Sequence, residues 1–366
     1  MLYNKYTMKF IHTADLHVDS KIDYLPSSLS AIRREEVLHS FERLCEYASK
    51  NQITAVIVAG DLFDCNKVTK KAIERVKNAI SLCKGVDFLY LQGNHDEFTQ
   101  EDIFDDFPSN FKPFQKGLSS FKYGNVVVSG IVDTNNTLPF LYEQISLNKD
   151  DFNILAMHGE VVDYKGKSKN GTISLPMLRD RNIDYLALGH YHSFSQGQLD
   201  LRGKYAYSGC LDGRGFDELG QKGFVVIDTD NKHFSFVTFS SRQYLEKTFD
   251  LANYSTWVNA RAEIIQTLKA ESDKSNVIKV VLSGDVLQDF NLDKNELEQR
   301  LREYFFYAKV EDKTVLKLTE QDYLLDKTVK GEFLRLVWES DLTDDQKKNV
   351  ISCGINALRG EELLWF

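Results

Sequence analysis

Eight histidines mark the chain, and six of them (His12, His17, His95, His158, His190 and His192) fall in or beside the ends of short apolar runs. Asp15, Asp61 and Asn94 stand at such ends as well. Asp15 with His17, and His190 with His192, have the two-residue spacing at which extended backbone points both side chains the same way. Imidazoles, two carboxylates and an amide oxygen make a borderline-to-hard donor set. It suits Mn²⁺, Fe²⁺ or Zn²⁺ and fits Ca²⁺ or copper poorly. The seven donors Asp15, His17, Asp61, Asn94, His158, His190 and His192 are too many for one ion and about right for two, with Asp61 as the natural bridge. Two ions roughly 3.5–4 Å apart clamp a phosphoryl group, acidify a bridging water and stabilise the leaving oxygen. A lone Asp or His at a strand end is usually a turn or cap residue, and GNHD by itself reads as a β-turn. Five such ends in order along one chain are not explained that way.

The elements that must position these residues are legible from periodicity. Lys9–Thr13, Ile53–Ala59, Asp87–Leu91, Asn153–Met157 and Tyr185–Leu188 are apolar strands that each stop abruptly at a polar residue. Ser28–Lys50 and Lys70–Cys83 have helical spacing. Continuous apolar strands separated by helices predict βαβ units with both sheet faces covered, and parallel strands bring their carboxyl ends to one edge, where sites form in open α/β sheets. Lys204–Ser240 alternates and turns tightly, which predicts antiparallel strands. The pattern changes near Arg242. Thr256–Ala270 and Asp293–Tyr304 are helical, Leu245–Leu251, Val277–Leu282 and Tyr307–Val310 are strand-like, and Asp293 with Glu296 starts a helix. The tail, Asp326–Phe366, reads as two helices, the second opened by a Thr343–Gln346 capping box and ended near Gly360.

The chain has 366 residues, more than a single core supports, so a large domain and a smaller one are expected. Its 45 basic and 54 acidic residues leave a net charge of −9, which argues against bulk coating of nucleic acid but not against a local basic groove. The five cysteines are scattered without a C-x-x-C pair, so a disulfide framework or cysteine zinc site is not expected, and the pattern fits a reducing cytoplasm. No run approaches the ~20 apolar residues of a membrane span, and no membrane role is expected.

D-x-H, G-D-x-x-D, G-N-H-D, H-G and G-H-x-H follow one another over residues 15–192. In that order they resemble the calcineurin-like metallophosphoesterase superfamily. HTADLHVDS, AGDLFD, QGNHD, MHGE, YLALGHYH and YSGCLDGRGFDELGQKG are similar to the SbcD-type DNA repair exonucleases within it. The resemblance is close over about the first 240 residues and reaches the rest only in layout. It implies an αββα sandwich over 1–240, a smaller α/β capping, DNA-binding domain over 241–325 and a C-terminal helical segment over 326–366. It implies one ion on Asp15, His17, Asp61 and His192, a second on Asp61, Asn94, His158 and His190, and two Mn²⁺ as the cofactor, with Fe²⁺ not separable by sequence. His95 would face the scissile phosphate, and Asp96 would hold His95 by a hydrogen bond. Hydroxide attack in line would then hydrolyse a phosphodiester. Some family members carry a second His where this chain has Asp64, a position that helps select the DNA end, so the balance of exonuclease and endonuclease activity stays open. Asp64 otherwise reads as a cap on the following helix.

Phosphate contacts are expected from Lys165 and Lys167, which follow His158 in a polar loop, and from Arg202 and Arg214, which follow His192. The resemblance implies DNA as substrate, an SbcC-like coiled-coil ATPase docked on the C-terminal helices and a homodimer. Leu336, Val337, Val350, Ile351, Ile355, Leu358, Leu363 and Leu364 supply the apolar surface for that docking. The alternative reading is a dinuclear phosphodiesterase acting on nucleotides or other small phosphodiesters. Glu218 reads as an ion-pair or strand-end residue.

Overall fold

Ala55–Ala59 is buried along its whole length, as a strand covered on both faces must be. It is one of the central strands of an αββα sandwich. The computed structural model describes residues 8–64, 68–96, 104, 106–133, 138–164, 172–287, 290–317 and 327–358. The chain divides into two units, Met1–Tyr244 and Leu245–Phe366.

The first unit holds, in chain order, β1 (Lys9–Thr13), α1 (Ser27–Lys50), β2 (Ala55–Ala59), α2 (Lys70–Leu82), β3 (Asp87–Leu91), β4 (Phe111–Pro113), β5 (Gly117–Tyr123), β6 (Val126–Val132), α3 (Leu138–Gln144), β7 (Phe152–His158), β8 (Glu160–Val162), β9 (Thr172–Ser174), α4 (Leu175–Leu178), β10 (Tyr185–Gly189), β11 (Ser195–Gln198), β12 (Lys204–Tyr207), β13 (Gly223–Asp228) and β14 (His233–Thr238). One six-stranded sheet runs β14-β13-β1-β2-β3-β4 and the other β11-β12-β10-β7-β6-β5. The strands β1 to β4 are mutually parallel, as are β12, β10, β7 and β6. Antiparallel strands flank them: β13 and β14 on the first sheet, β11 and β5 on the second.

Period-two alternation sorts the side chains into three apolar layers. Phe10, Ile57, Leu89 and Leu91 of the first sheet meet Val128, Ile154, Ala156 and Ala187 of the second. The opposite face of the first sheet (Ile11, Val56, Val58, Phe88) is covered by Phe41 and Leu44 of α1 and Val76 and Ile80 of α2. The opposite face of the second (Leu155, Met157, Leu186, Leu188) is covered by Leu141 of α3 and Leu178 of α4. The expected αββα sandwich is therefore the architecture. The region between Phe111 and Gln144 received no assignment from periodicity, although it supplies β4, β5, β6 and α3.

In the second unit, β15 (Tyr244–Asp250), α5 (Trp257–Glu271), β16 (Val277–Ser283), β17 (Asp285–Leu287), α6 (Lys294–Arg302), β18 (Tyr307–Asp312) and β19 (Val315–Lys317) precede two helices, α7 (Val329–Trp338) and α8 (Asp344–Leu358). The sheet order is β15-β16-β18, and β16 and β18 are parallel. Asp293 caps α6 by accepting the Glu296 N–H at 2.9 Å. The capping box of α8 forms, with Thr343 N–H donating to Gln346 Oε1 at 3.0 Å and Gln346 N–H to Thr343 Oγ1 at 3.4 Å. Part of the apolar surface expected to be open is in use here: Val337, Ile351 and Ile355 pack with Leu334 between α7 and α8. Leu336, Val350 and Leu358 are exposed. Gly360, Leu363 and Leu364 lie outside the described residues.

Leu89 is fully buried between the two sheets. We expect Leu89→Ala to cost about 2–5 kcal/mol in urea unfolding of the full chain. A loss within about 0.5 kcal/mol, the range for an exposed position, would contradict the layer assignment.

Candidate metal centre

Parallel pairing puts Thr13, Ala59, Leu91, His158 and Gly189 at one edge, and the residues that follow these strand ends form the site. Backbone strain gathers there. Asp15, His17, Asp61 and His190 all have positive φ (52°, 43°, 54° and 107°), a conformation that ordinary side chains avoid and that an over-determined site can hold. Two glycines allow the close approach. A Cβ on Gly60 (φ 96°) would stand 2.1 Å from His158 Nδ1, and one on Gly93 would stand 2.1 Å from Asp61 Oδ1.

All seven candidate ligands come together. Ligating atoms of Asp15, His17 and His192 lie within 4.8 Å of one another, as do those of Asp15, Asp61 and His158. His158 Nε2 is 3.3 Å from Asp61 Oδ2 and 2.8 Å from Asn94 Oδ1. Its Nδ1 donates to the Ala59 carbonyl at 2.9 Å. The His190 backbone N–H donates to both oxygens of Asp15, at 2.9 and 3.0 Å, and its ring centroid is 5.6 Å from that of His158. His192 Nδ1 donates to Glu218 Oε1 at 2.7 Å. Both ring nitrogens of His17 are buried without a hydrogen-bond partner, and Nε2 lies 3.7 Å from Asp61 Oδ2.

The electrostatics follow from burial. Burial, reinforced by the Arg214 charge, holds His17 neutral, its pKa pushed down to about 3. Burial raises Asp15 to about 6 against the pull of His158 and His192. Burial would also raise Asp61, but the hydrogen bond and charge of His158, with His17 and the His95 backbone N–H, outweigh it and bring Asp61 to about 2. Burial opposes the charge on His158, yet its hydrogen bond to Asp61 and the charges of Asp61 and Asp15 lift it to about 9.

His95 is half-exposed, with its ring 5.0 Å from that of His17. The carboxylate facing its Nδ1, at 3.5 Å, is Asp64 and not Asp96. Asp96 is buried and turned inward. Its Oδ1 accepts the Phe63 N–H and its Oδ2 the Gly93 N–H, both at 3.1 Å, so it braces the turn that carries Asn94 and His95. Asp64 does not cap α2 either, because Thr69 takes that position and accepts the Ala72 N–H at 3.2 Å. Backbone geometry alone separates these two carboxylates, which is why spacing could not.

One of the expected phosphate contacts is corrected. Arg202 precedes β12, and β12 runs parallel to β10 with Lys204 opposite Tyr185, so Arg202 lies at the amino-terminal edge. That is about 16 Å of strand from the site. Its guanidinium is held by Asp184 at 2.7 Å and by the carbonyls of Lys149 and Asp151. Arg214 is beside the site, but its guanidinium is ion-paired with buried Glu218 and reaches Ser20 Oγ at 3.3 Å. Lys165 and Lys167 lie outside the described residues. Among the described residues no helix is long and apolar enough to cross a membrane.

Residues 8–194 match the model of the calcineurin-like phosphoesterase family. The chain is 25% identical over 335 residues to the DNA double-strand break repair protein Mre11 of Sulfolobus acidocaldarius, covering 86% of this chain and 85% of that one. It is 26% identical over 247 residues to the uncharacterized metallophosphoesterase YhaO of Bacillus subtilis, covering 63% of this chain and 59% of YhaO. Among solved structures, TT1561 of Thermus thermophilus aligns over 64% of this chain and 99% of its own, with a TM-score of 0.43 and 12% identity. With the match spanning half of its length and the site residues gathered at one sheet edge, the chain belongs to the calcineurin-like phosphoesterases, metal-dependent hydrolases with a dinuclear centre.

Proposed function

We propose that the protein is a manganese-dependent DNA nuclease, exonucleolytic and endonucleolytic, acting in double-strand-break repair with an SbcC-like ATPase. The observation that carries the metal part of this reading is His17. A neutral imidazole with both nitrogens buried and unbonded, beside Asp15, Asp61 and His192, is an incomplete set of interactions that a cation completes. The proton held by His158 between two carboxylates supports it too, since positive charge is favoured where the second ion would lie. The donor chemistry fits the group: Asp15, His17, Asp61 and His192 would hold one ion, and Asp61, Asn94, His158 and His190 the other. Bound there, two divalent cations polarise the phosphoryl group and acidify water.

The chain's own residues do the rest. His95 is an exposed imidazole at the rim outside both ligand sets, and it stabilises charge on the phosphate and protonates the departing oxygen. Asp61 fixes His95 from behind by accepting its backbone N–H at 2.8 Å. Asp96 acts through the same turn, and Asp64 faces the ring. With Arg202 engaged elsewhere, we assign backbone phosphate contacts to Lys165 and Lys167, which makes binding salt-dependent and sequence-independent. We assign DNA binding also to residues 241–325 and ATPase docking to the helices of 326–366, where Leu336, Val350 and Leu358 are exposed. The likeness to a break repair protein over most of both chains supports DNA over a small phosphodiester.

The test offers the purified chain with Mn²⁺ linear duplex DNA, hairpin DNA and bis-p-nitrophenyl phosphate. We expect cleavage of the DNA substrates, and no cleavage by Asp61→Ala, which also binds less Mn²⁺. Hydrolysis confined to the small ester would move the assignment to the alternative phosphodiesterase, and intact substrates throughout would remove the nuclease reading. For His95→Ala we expect both ions to be retained with turnover falling about 10²–10⁴-fold. Wild-type turnover in that variant would exclude the role given to His95.

A further inference from the structure

Glu218 is buried, distant in sequence from every candidate ligand motif, and absent from both proposed ligand sets. Five donors converge on it, one of them Arg214 Nη2, which reaches Oε1 at 2.5 Å. Its Oε1 accepts from His192 Nδ1 at 2.7 Å and from Arg214 Nε at 3.1 Å. Its Oε2 accepts the Arg214 backbone N–H at 2.6 Å and lies 3.7 Å from Cys210 Sγ. A second buried charge grips the same histidine by its backbone: Lys222 Nζ donates to the His192 carbonyl at 2.8 Å and to Ser193 Oγ at 3.0 Å. His192 is thus fixed at both ends by the segment that follows β12.

A carboxylate can only accept, and at 2.7 Å it is nearer to Nδ1 than the donor-only Arg214 Nη2 at 3.3 Å, so the proton on a neutral His192 sits at Nδ1 and the lone pair at Nε2. His158 shows the weaker version of the same arrangement, with its Nδ1 donating to a backbone carbonyl. A charged acceptor fixes the tautomer more firmly and makes the opposite nitrogen a stronger donor to a metal. Arg214 supplies the charge that lets Glu218 stay ionised in a buried place. A plain structural ion pair between Glu218 and Arg214 would not require Oε1 to be shared with a ring nitrogen of His192.

We infer that Glu218 is a positioning residue: it sets the tautomer and orientation of His192 and thereby tightens one of the two metal sites, with Arg214 balancing its charge. The inference rests on the dinuclear reading above. It concerns the ion held with His192, so its loss is selective.

The experiment titrates Mn²⁺ into wild type, Glu218→Ala and Glu218→Gln, by calorimetry and by electron paramagnetic resonance. For wild type we expect two ions and an exchange-coupled pair signal. For Glu218→Ala we expect one site weakened about 10–100-fold with the other unchanged, and a mononuclear signal at substoichiometric Mn²⁺. Glu218→Gln keeps an acceptor oxygen, so its affinity lies nearer to wild type than to the alanine variant. Two wild-type affinities in Glu218→Ala would overturn the inference, as would equal weakening of both sites that glutamine does not recover. Should wild type itself bind no Mn²⁺, the dinuclear reading fails and Glu218 loses this role with it. Ring ¹⁵N shifts of the metal-free wild type give a second measurement that does not depend on a variant folding. His192 is expected as the Nδ1-protonated tautomer, and the Nε2-protonated neutral form would refute the assignment.

Discussion

Burying the carboxylates of Asp15, Asp61 and Asp96 at one sheet edge is the constraint on which the rest of this structure depends. An isolated charge in that position would cost far more than a domain's whole margin of stability, so each needs compensation. Asp96 takes two backbone N–H groups, and Asp15 takes the His190 N–H on both oxygens. Asp61 takes the His95 N–H and the His158 imidazole. The compensating donors come from the ends of other strands, which ties the two sheets together at this edge. The same bonds that make the burial tolerable therefore fix the relative positions of Asp15, Asp61, Asn94, His95 and His190. Strained backbone at Asp15, His17, Asp61 and His190 is held by this over-determination.

Much of this was legible because it depends on period and punctuation. A strand buried on both faces must be continuously apolar, and a helix over it must repeat every three to four residues, so β1, β2, β3, β7 and β10 with α1 and α2 follow from pattern alone. The clustering of His and Asp at their ends is likewise visible once parallel pairing is assumed. The strands β4 and β5 were not visible, since a three-residue strand and a partly exposed one with Ser and Lys lack an apolar period, whereas β6 (VVVSGIV) is apolar and buried and was readable but missed.

The misread residues share a cause. Asp64 and Asp96 both stand near His95 in space, but sequence distance favoured Asp96. The tight turn after β3 points that side chain back toward Phe63, and the loop after β2 brings Asp64 forward. Arg202 and Arg214 both follow His192 in sequence, yet one lies at the amino-terminal edge and the other beside the site, because β12 reverses the path between them. Glu218 stands in the YSGCLDGRGFDELGQKG motif and was legible as an ion-pair residue, which its pairing with Arg214 bears out, but its bond to His192 arises from a fold-back of the chain after β12, a long-range contact that no local spacing encodes.

The two edges of the sandwich use the same residue types to opposite effect. At the amino-terminal edge Asp184 is buried too, and it is fully matched: Arg202, Lys232 and the Asn153 N–H all reach it. At the carboxyl-terminal edge the matching is complete around Asp96 and Glu218, but not around His17, whose nitrogens have no partner. A fold selected only for stability would resolve that deficit with an apolar residue or a further hydrogen bond. Among the described residues His17 alone has two buried polar atoms without a partner, and it holds them next to two carboxylates. This contrast, more than the mere presence of acidic and imidazole groups, distinguishes a site from a salt-bridged surface.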